Sequence, residues 1–321
     1  MSLRILHVFS PTARENPFLS PAAANRAWLP DALRGLGHEV IAQEGHRALV
    51  DAAEVDVVHL HDDSLADAVH GARATLYTRY RPAATGRPFI ALSYRGLDGD
   101  DRPAAVIAPA IDTARVPAER EPGDHLAFSF DGRDEFALGA AIAVATRSER
   151  PLVIALDESA ELSESCAAAV AAGRDGGWLT VERYGPDAFP AAIANAAAYL
   201  AFSRERFDMA AMTAMASGTP VVALEGSPAS EVIVHGESGL LCGSAREAYR
   251  AVEHLDIVHP AHGRSRARVV FDAEAAALQH AALYERLAAG VTPVFRHPEL
   301  ADIQQQHDAG ERRSDDPVGV A

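Results

Sequence analysis

Residues 200–241, LAFSRERFDMAAMTAMASGTPVVALEGSPASEVIVHGESGLL, decide how the chain folds. The stretch predicts strand, loop, helix, tight turn, strand, loop, short helix and turn. Phe207, Ala211, Met212 and Met215 recur at helical spacing, so 208–216 offers an apolar helix face. Ser217-Gly218 stops that helix, because glycine accepts the left-handed backbone a helix end needs. Thr219-Pro220 then opens Val221-Val222-Ala223-Leu224, a continuous apolar run suited to a strand covered on both faces.

The alternation of strand and helix extends outward from this stretch. Upstream, strands are expected at 125–130, 152–156, 179–184 and 198–202, with helices at 135–145, 163–172 and 187–196. Downstream, 246–255 and 272–289 read as closing helices, the last with Leu278, Ala281, Ala282 and Tyr284 near one face. The first third opens as a βαβ unit: strand 4–10 (RILHVFS), helix 22–36, then His38-Glu39-Val40-Ile41-Ala42. Such a unit implies a parallel sheet. Strands follow at 55–61, 74–78, 89–93 and 105–111, with a helix expected at 65–72. Residues 117–124 (PAEREPGD) carry two prolines, a glycine and a run of charges, and form the best linker candidate. The division is therefore 1–120, a shortened first domain; 121–290, a second domain whose last helix could pack back on the first; and 291–321, a partly disordered tail. Both domains are α/β, Rossmann-like and doubly wound, with a cleft between them. In such sheets ligands bind beyond the carboxyl ends of the strands.

Composition narrows the function classes. Of 321 residues, 48% are hydrophobic and 23% charged, an ordinary globular balance. The net charge of -16 argues against a nucleic-acid binder, which needs a basic stripe, and against adsorption to anionic lipid. It leaves anionic small molecules open, because a local arginine cluster overrides the global field. Cys166 and Cys242 lie far apart, giving neither a disulfide framework nor a metal spacing, which suits a cytoplasmic setting. No segment approaches the ~18 apolar residues of a membrane span, and the opening MSLRILHVFS lacks the apolar core of a signal peptide. The alanine-rich helices leave a homo-oligomer open without marking an interface.

The pattern F-x-x-x-x-x-x-A-M-A-S-G-T-P-V-V from Phe207, followed by Glu231 and Gly236-Glu237-Ser238-Gly239-Leu240-Leu241, resembles the donor half of the family-4 glycosyltransferases of the GT-B fold. The likeness covers nearly the whole chain and is strongest over 200–241. It implies a retaining glycosyltransferase that moves a sugar from a nucleotide-diphosphate donor to a small-molecule or glycan acceptor. The donor would lie on the second domain and the acceptor on the first. No cofactor and no metal are expected, the nucleotide sugar being a substrate.

Residue by residue, the resemblance places Glu205 first in the family's Glu-seven-Glu pattern, with Thr213 in the second position. Glu231 takes the place of the glutamate in G-G-x-P-E, beside Ser230. Glu205 and Glu231 would be the catalytic carboxylates. Arg133, in Asp131-Gly132-Arg133, matches the family's phosphate clamp, whereas the lysine expected one turn on is Leu138 or Ala137. Arg204 would substitute for that cation together with Arg206, or both arginines pair with Glu205 and Asp208. Phe207 and Ser230 complete the donor side. Asp208 stands where glycine is usual. It would satisfy a helix N-terminus but repel a diphosphate, so either it points away or the donor is held differently. On the acceptor side, Tyr80 replaces the histidine of T-x-H, and His61 lies near it. His59, His61, Asp62 and Asp63 form a polar group in which a metal is conceivable, but V-H-x-H also occurs in this family without one. The departures from the pattern support two alternatives. One is a catalytically degenerate GT-B scaffold that binds a ligand or serves as an accessory subunit. The other is a transferase using a sugar phosphate without a nucleotide.

Overall fold

The computed structural model describes residues 2–10, 16–45, 50–61, 69–80, 88–94, 97, 101–130, 132, 134–156, 160–203 and 207–295. The first domain contains β1 (Arg4–Phe9), α1 (Pro21–Gly35), β2 (Glu39–Glu44), β3 (Val50–Asp51), β4 (Val57–Leu60), β5 (Val69–His70), β6 (Ala74–Arg79), β7 (Phe89–Ala91) and β8 (Ala105–Val106). The second contains β9 (Leu126–Phe130), α2 (Glu135–Ser148), β10 (Leu152–Leu156), α3 (Glu164–Asp175), β11 (Leu179–Arg183), α4 (Phe189–Ala194), β12 (Ala198–Ala201), α5 (Met209–Ser217), β13 (Val221–Leu224), β14 (Leu240–Cys242), α6 (Ala245–Val252), α7 (Pro260–Val270) and α8 (Ala273–Ala288).

Among the described residues the strands form two six-stranded parallel sheets, β2-β1-β4-β6-β7-β8 and β11-β10-β9-β12-β13-β14, plus the small pair β3-β5. The fold is thus the expected pair of doubly wound sheets. The strand order reverses between β1 and β4 in the first sheet and between β9 and β12 in the second. Those are the topological switch points at which such sheets take ligands.

Several expected elements shift. The helix expected at 65–72 is not what residues 69–70 form: Val69 and His70 pair with Val50 and Asp51 as strand, and 62–68 lie outside the described residues. The strand expected at 105–111 stops at Val106, and Ile111 instead bridges Asp272. A whole helix, α7, was not signalled by the sequence. Its run PAHGRSRARVV is too basic to show an apolar stripe, yet it packs on α5 through Gly263. A Cβ at Gly263 would lie 3.2 Å from the Met215 carbonyl oxygen, a tight contact that the glycine avoids. As a result α5 is buried on every side rather than on one face, from Met209 to Ser217.

Helix α8 belongs structurally to the first domain. Ala277, Ala281, Leu283, Tyr284 and Leu287 pack with Leu3, Ile5, Leu29, Leu33 and Val57 in one core. Each large apolar side chain buried this way stabilises by about 1.5–3 kcal/mol. The two domains also share apolar packing: Phe18 lies 5.1 Å from Trp28 and 6.3 Å from Phe189 between ring centroids. The linker is anchored rather than free, because Arg120 donates to the carbonyls of Ala194, Ala196 and Gly218. Further bonds cross between the domains, among them two from loops at the strand ends. Asn16 Nδ2 donates to the Tyr184 carbonyl (3.0 Å), and the Tyr94 N–H donates to Glu231 Oε2 (2.8 Å). All four residues lie in loops beyond strand carboxyl ends, so those edges of the two sheets face each other. Among the described residues no helix is long and apolar enough to cross a membrane.

Candidate functional site

The second domain's switch point holds a polar constellation. Ser129 stands near the end of β9, and Tyr199 on the adjacent β12. The Tyr199 hydroxyl lies 2.6 Å from Ser129 Oγ and donates to both Asp208 oxygens at 2.8 and 2.9 Å. Asp208 caps α5, accepting from the Ala211 N–H at 3.1 Å. Burial raises its carboxyl from 3.8 to about 6, against hydrogen bonds from Tyr199, Ala211, Ala210 and Ser129 that lower it. Asp208 therefore points at its own helix N-terminus and Tyr199. It takes the N–H groups that an anionic ligand would otherwise use.

Next to this constellation runs the loop after β9. Gly132 adopts φ +91, and a Cβ there would collide with the Glu161 carbonyl. Glycine is required on both counts. Arg133 of this loop lies outside the described residues, as do Arg204, Glu205 and Arg206. Leu138, at the position of the family's lysine, is buried in the apolar core together with Ala137. Phe207 is half-buried against the core that contains α5. Thr213 is fully buried, and its hydroxyl donates to the Met209 carbonyl one turn back (3.1 Å). Its side chain thus serves α5 rather than opening onto a cleft.

Beyond β13, a short 3-10 turn (Pro228–Glu231) carries Glu231 to the domain interface. There Glu231 meets the Tyr94 N–H of the first domain. Ser230 donates to the Ser227 carbonyl (2.6 Å), so its hydroxyl holds the turn. The Ser227 hydroxyl is buried with no hydrogen-bond partner among the described residues. A buried polar atom left this way marks a place for a water or a ligand group.

The first domain's switch point carries a denser group, which the sequence showed only in part. His7 of β1 sits directly opposite His59 of β4, and His61 follows β4. His7 Nδ1 lies 2.9 Å from His61 Nε2, and His61 Nδ1 lies 2.8 Å from the Tyr80 hydroxyl. His61 and Tyr80, both expected on the acceptor side, are thus brought together. Asn25 of α1 donates to Tyr80 at 3.0 Å, while its own carbonyl accepts the Ala110 N–H. His59 bonds Thr78 through Nε2 (2.7 Å) and Tyr284 of α8 through Nδ1 (2.6 Å). His280, one turn before Tyr284, donates from Nδ1 to the Ala276 carbonyl, and its buried Nε2 has no partner among the described residues. Burial lowers His7 to about 3 and His280 to about 4, and holds His59 and His61 well below 6.5. The i, i+4 pair His280 and Tyr284 on a helix was the available signal; nothing local linked it to His59.

His7, His59 and His61 offer ligand atoms within 4.8 Å of one another, a spacing that would suit a cation. Each of their ring nitrogens already has a protein partner, however. Asp62 and Asp63 of the polar group lie outside the described residues.

Comparison with known proteins agrees with this architecture. Residues 136–255 match the model of the family described as Glycosyl transferases group 1. Among solved structures, AviGT4, a glycosyltransferase involved in avilamycin A biosynthesis, is similar over 90% of this chain and 99% of its own, with 22% identity and a TM-score of 0.70. A glycosyltransferase from Rickettsia africae ESF-5 aligns over 89% of this chain and 98% of its own, at 13% identity and TM-score 0.64. Anabaena HepE (Alr3699), solved in complex with UDP-glucose, aligns over 89% of this chain and 100% of its own, at 14% identity and TM-score 0.63. At these identities the likeness establishes the fold, that of the GT-B glycosyltransferases. No curated protein sequence matches the chain.

Proposed function

We propose, from a second domain that matches the group 1 glycosyl transferases and a GT-B fold around it, that this chain is a retaining glycosyltransferase. It moves a sugar from a nucleotide-diphosphate donor to a small-molecule or glycan acceptor. The observation that carries this reading is the meeting of Glu231 with the Tyr94 N–H. That contact puts a carboxylate of the donor domain at the boundary with the acceptor domain, where a carboxylate can hold sugar or ribose hydroxyls. Glu205, Arg133, Arg204, Phe207 and Ser230 would complete the donor side, and His61 with Tyr80 the acceptor side. Thr213 contributes through α5 rather than by contact.

One arrangement favours a second reading. Asp208 closes the N-terminus of α5, and Leu138 fills the lysine position with an apolar core residue. A scaffold that has lost donor binding would look the same, as would a transferase using a sugar phosphate without a nucleotide. Thermal melts separate them. A ligand bound to the native state at 100 times its Kd adds about 2.7 kcal/mol, so UDP, GDP, ADP or dTDP at millimolar concentration should raise the melting temperature. If none of the four does, the nucleotide-diphosphate reading fails. For a donor that is turned over, the anomeric coupling constant of the product decides whether configuration is retained.

A further inference from the structure

Residues 291–295, which follow α8, stay on the first domain. Gly290 adopts φ +78, and the Val291 N–H donates to the Arg286 carbonyl (2.9 Å), which closes the helix. Further on, the Phe295 N–H donates to the Pro103 carbonyl (2.8 Å). The Phe295 ring packs against Tyr94, with ring centroids 5.4 Å apart and planes at 42°. Tyr94 lies just past β7 and Pro103 just before β8. Phe295 therefore grips both ends of the connection between these two strands.

Tyr94 is also where the domains meet, since its N–H donates to Glu231 Oε2 (2.8 Å). Three groups stand in series: the Phe295 ring on the Tyr94 ring, the Tyr94 N–H, and the Glu231 carboxylate. Burial and the Glu231 charge raise the Tyr94 phenol above its ordinary range, so the side chain feels the carboxylate as well as the backbone. Tyr94 also has a turn of its own, in which the Leu97 N–H donates to its carbonyl (3.1 Å). The ring contact with Phe295 is a separate hold on the same residue. Aromatic pairs attract beyond their buried area and favour particular ring orientations, so this hold carries direction as well as energy.

We propose that residues 291–295 form a strap whose Phe295 holds Tyr94 in place and so presents its N–H to Glu231 at the domain boundary. Phe295 and Tyr94 are then positioning residues for that carboxylate. A carboxylate of the second domain is thus oriented by a residue far downstream, acting through a loop of the first. A bond from a backbone N–H fixes one carboxylate oxygen, and the direction of a group that holds sugar hydroxyls decides how well it holds them. The role in sugar transfer rests on the function proposed above; the strap itself does not.

The test reads hydrogen exchange at the Tyr94 amide in the full chain, with the amides of β4 and β12 as the reference for an intact fold. Glu231→Ala removes the acceptor and Phe295→Ala removes the ring. Each should speed exchange at Tyr94 roughly threefold to tenfold while β4 and β12 stay protected. Phe295→Tyr keeps an aromatic ring and should leave exchange unchanged, as should Val294→Ala, which alters an exposed neighbour. Unchanged exchange in Phe295→Ala overturns the strap, because the Leu97 turn then suffices. Unchanged exchange in Glu231→Ala overturns it too, because the N–H is then not held by the carboxylate. So does a loss of protection spread over β4 and β12 in Phe295→Ala, since the segment would then serve folding in general. With a donor and acceptor pair that the wild type turns over, Phe295→Ala should raise the donor KM severalfold and leave the acceptor KM unchanged, because Glu231 belongs to the donor domain. Phe295→Tyr should match the wild type. Equal changes in both constants, or none, overturn the positioning role. A wild type that turns over no donor and binds no nucleotide defeats the proposed function, and exchange at Tyr94 still decides the strap.

Discussion

Asp208 is held by opposing influences on its proton. Burial pushes its carboxyl up to about 6, while the bonds from Tyr199, Ala211, Ala210 and Ser129 favour the charged form. A carboxyl whose folded value lies above its unfolded one binds a proton in the folded state that the unfolded chain has released. Its contribution to stability therefore falls as pH rises from about 4 to about 6 and is level above that. Asparagine caps a helix about as well as aspartate and does not titrate. Asp208→Asn should thus melt higher than the wild type above pH 6, with the gain shrinking toward pH 4. Melting curves that run parallel from pH 4 to 7 would show that the burial effect is absent. At this scale the sequence showed the residue, and the family resemblance raised its conflict with a diphosphate as an expectation. It did not show Tyr199 and Ser129, because neighbours on adjacent strands have no fixed separation along the chain.

Helix α5 and its turn show how an element was legible at one end and hidden at its side. Gly218 was readable as the stop, and it adopts φ +79 as the helix cap. The structure adds a second demand: a Cβ there would lie 2.9 Å from the Pro260 Cβ and would also strike Arg264, both on α7. Gly218→Ala meets backbone strain and a clash together, and should cost about 1–3 kcal/mol. Equilibrium urea unfolding measures it, and a loss below about 0.5 kcal/mol would mean that α7 yields easily. The outer side of α5 was illegible because α7 covers it, and α7 carries its message in Gly263 and three arginines rather than in an apolar stripe. Arg264 donates to the Ser217 carbonyl and Arg266 to the Val232 carbonyl, so these charges tie loops and a helix end.

For the whole molecule, the buried histidines dominate the response to acid. His7, His59, His61 and His280 are all held below their ordinary value by burial. A lowered histidine means that the unfolded chain takes up protons below about pH 6.5 that the folded chain refuses. Stability is then lost as pH falls from about 6.5 toward 3, opposing the single contribution of Asp208 and outnumbering it. The melting temperature should drop steadily below pH 6.5. His280→Leu, which removes a buried histidine, should make that drop shallower; an unchanged slope would show that His280 titrates normally. What the sequence by itself determined is the pair of parallel sheets with flanking helices and the turns, since these follow from periodicities of two and 3.6 residues and from Gly and Pro punctuation within short windows. The family resemblance also put forward His61, Tyr80 and Glu231 as site residues. Only the tertiary structure decided their partners. The domain cleft sets Glu231 against Tyr94, and a helix returning to the first domain carries Tyr284 to His59, 225 positions away in the chain. A proton's place depends on what lies within about 3 Å in space, and separation along the chain does not fix that distance.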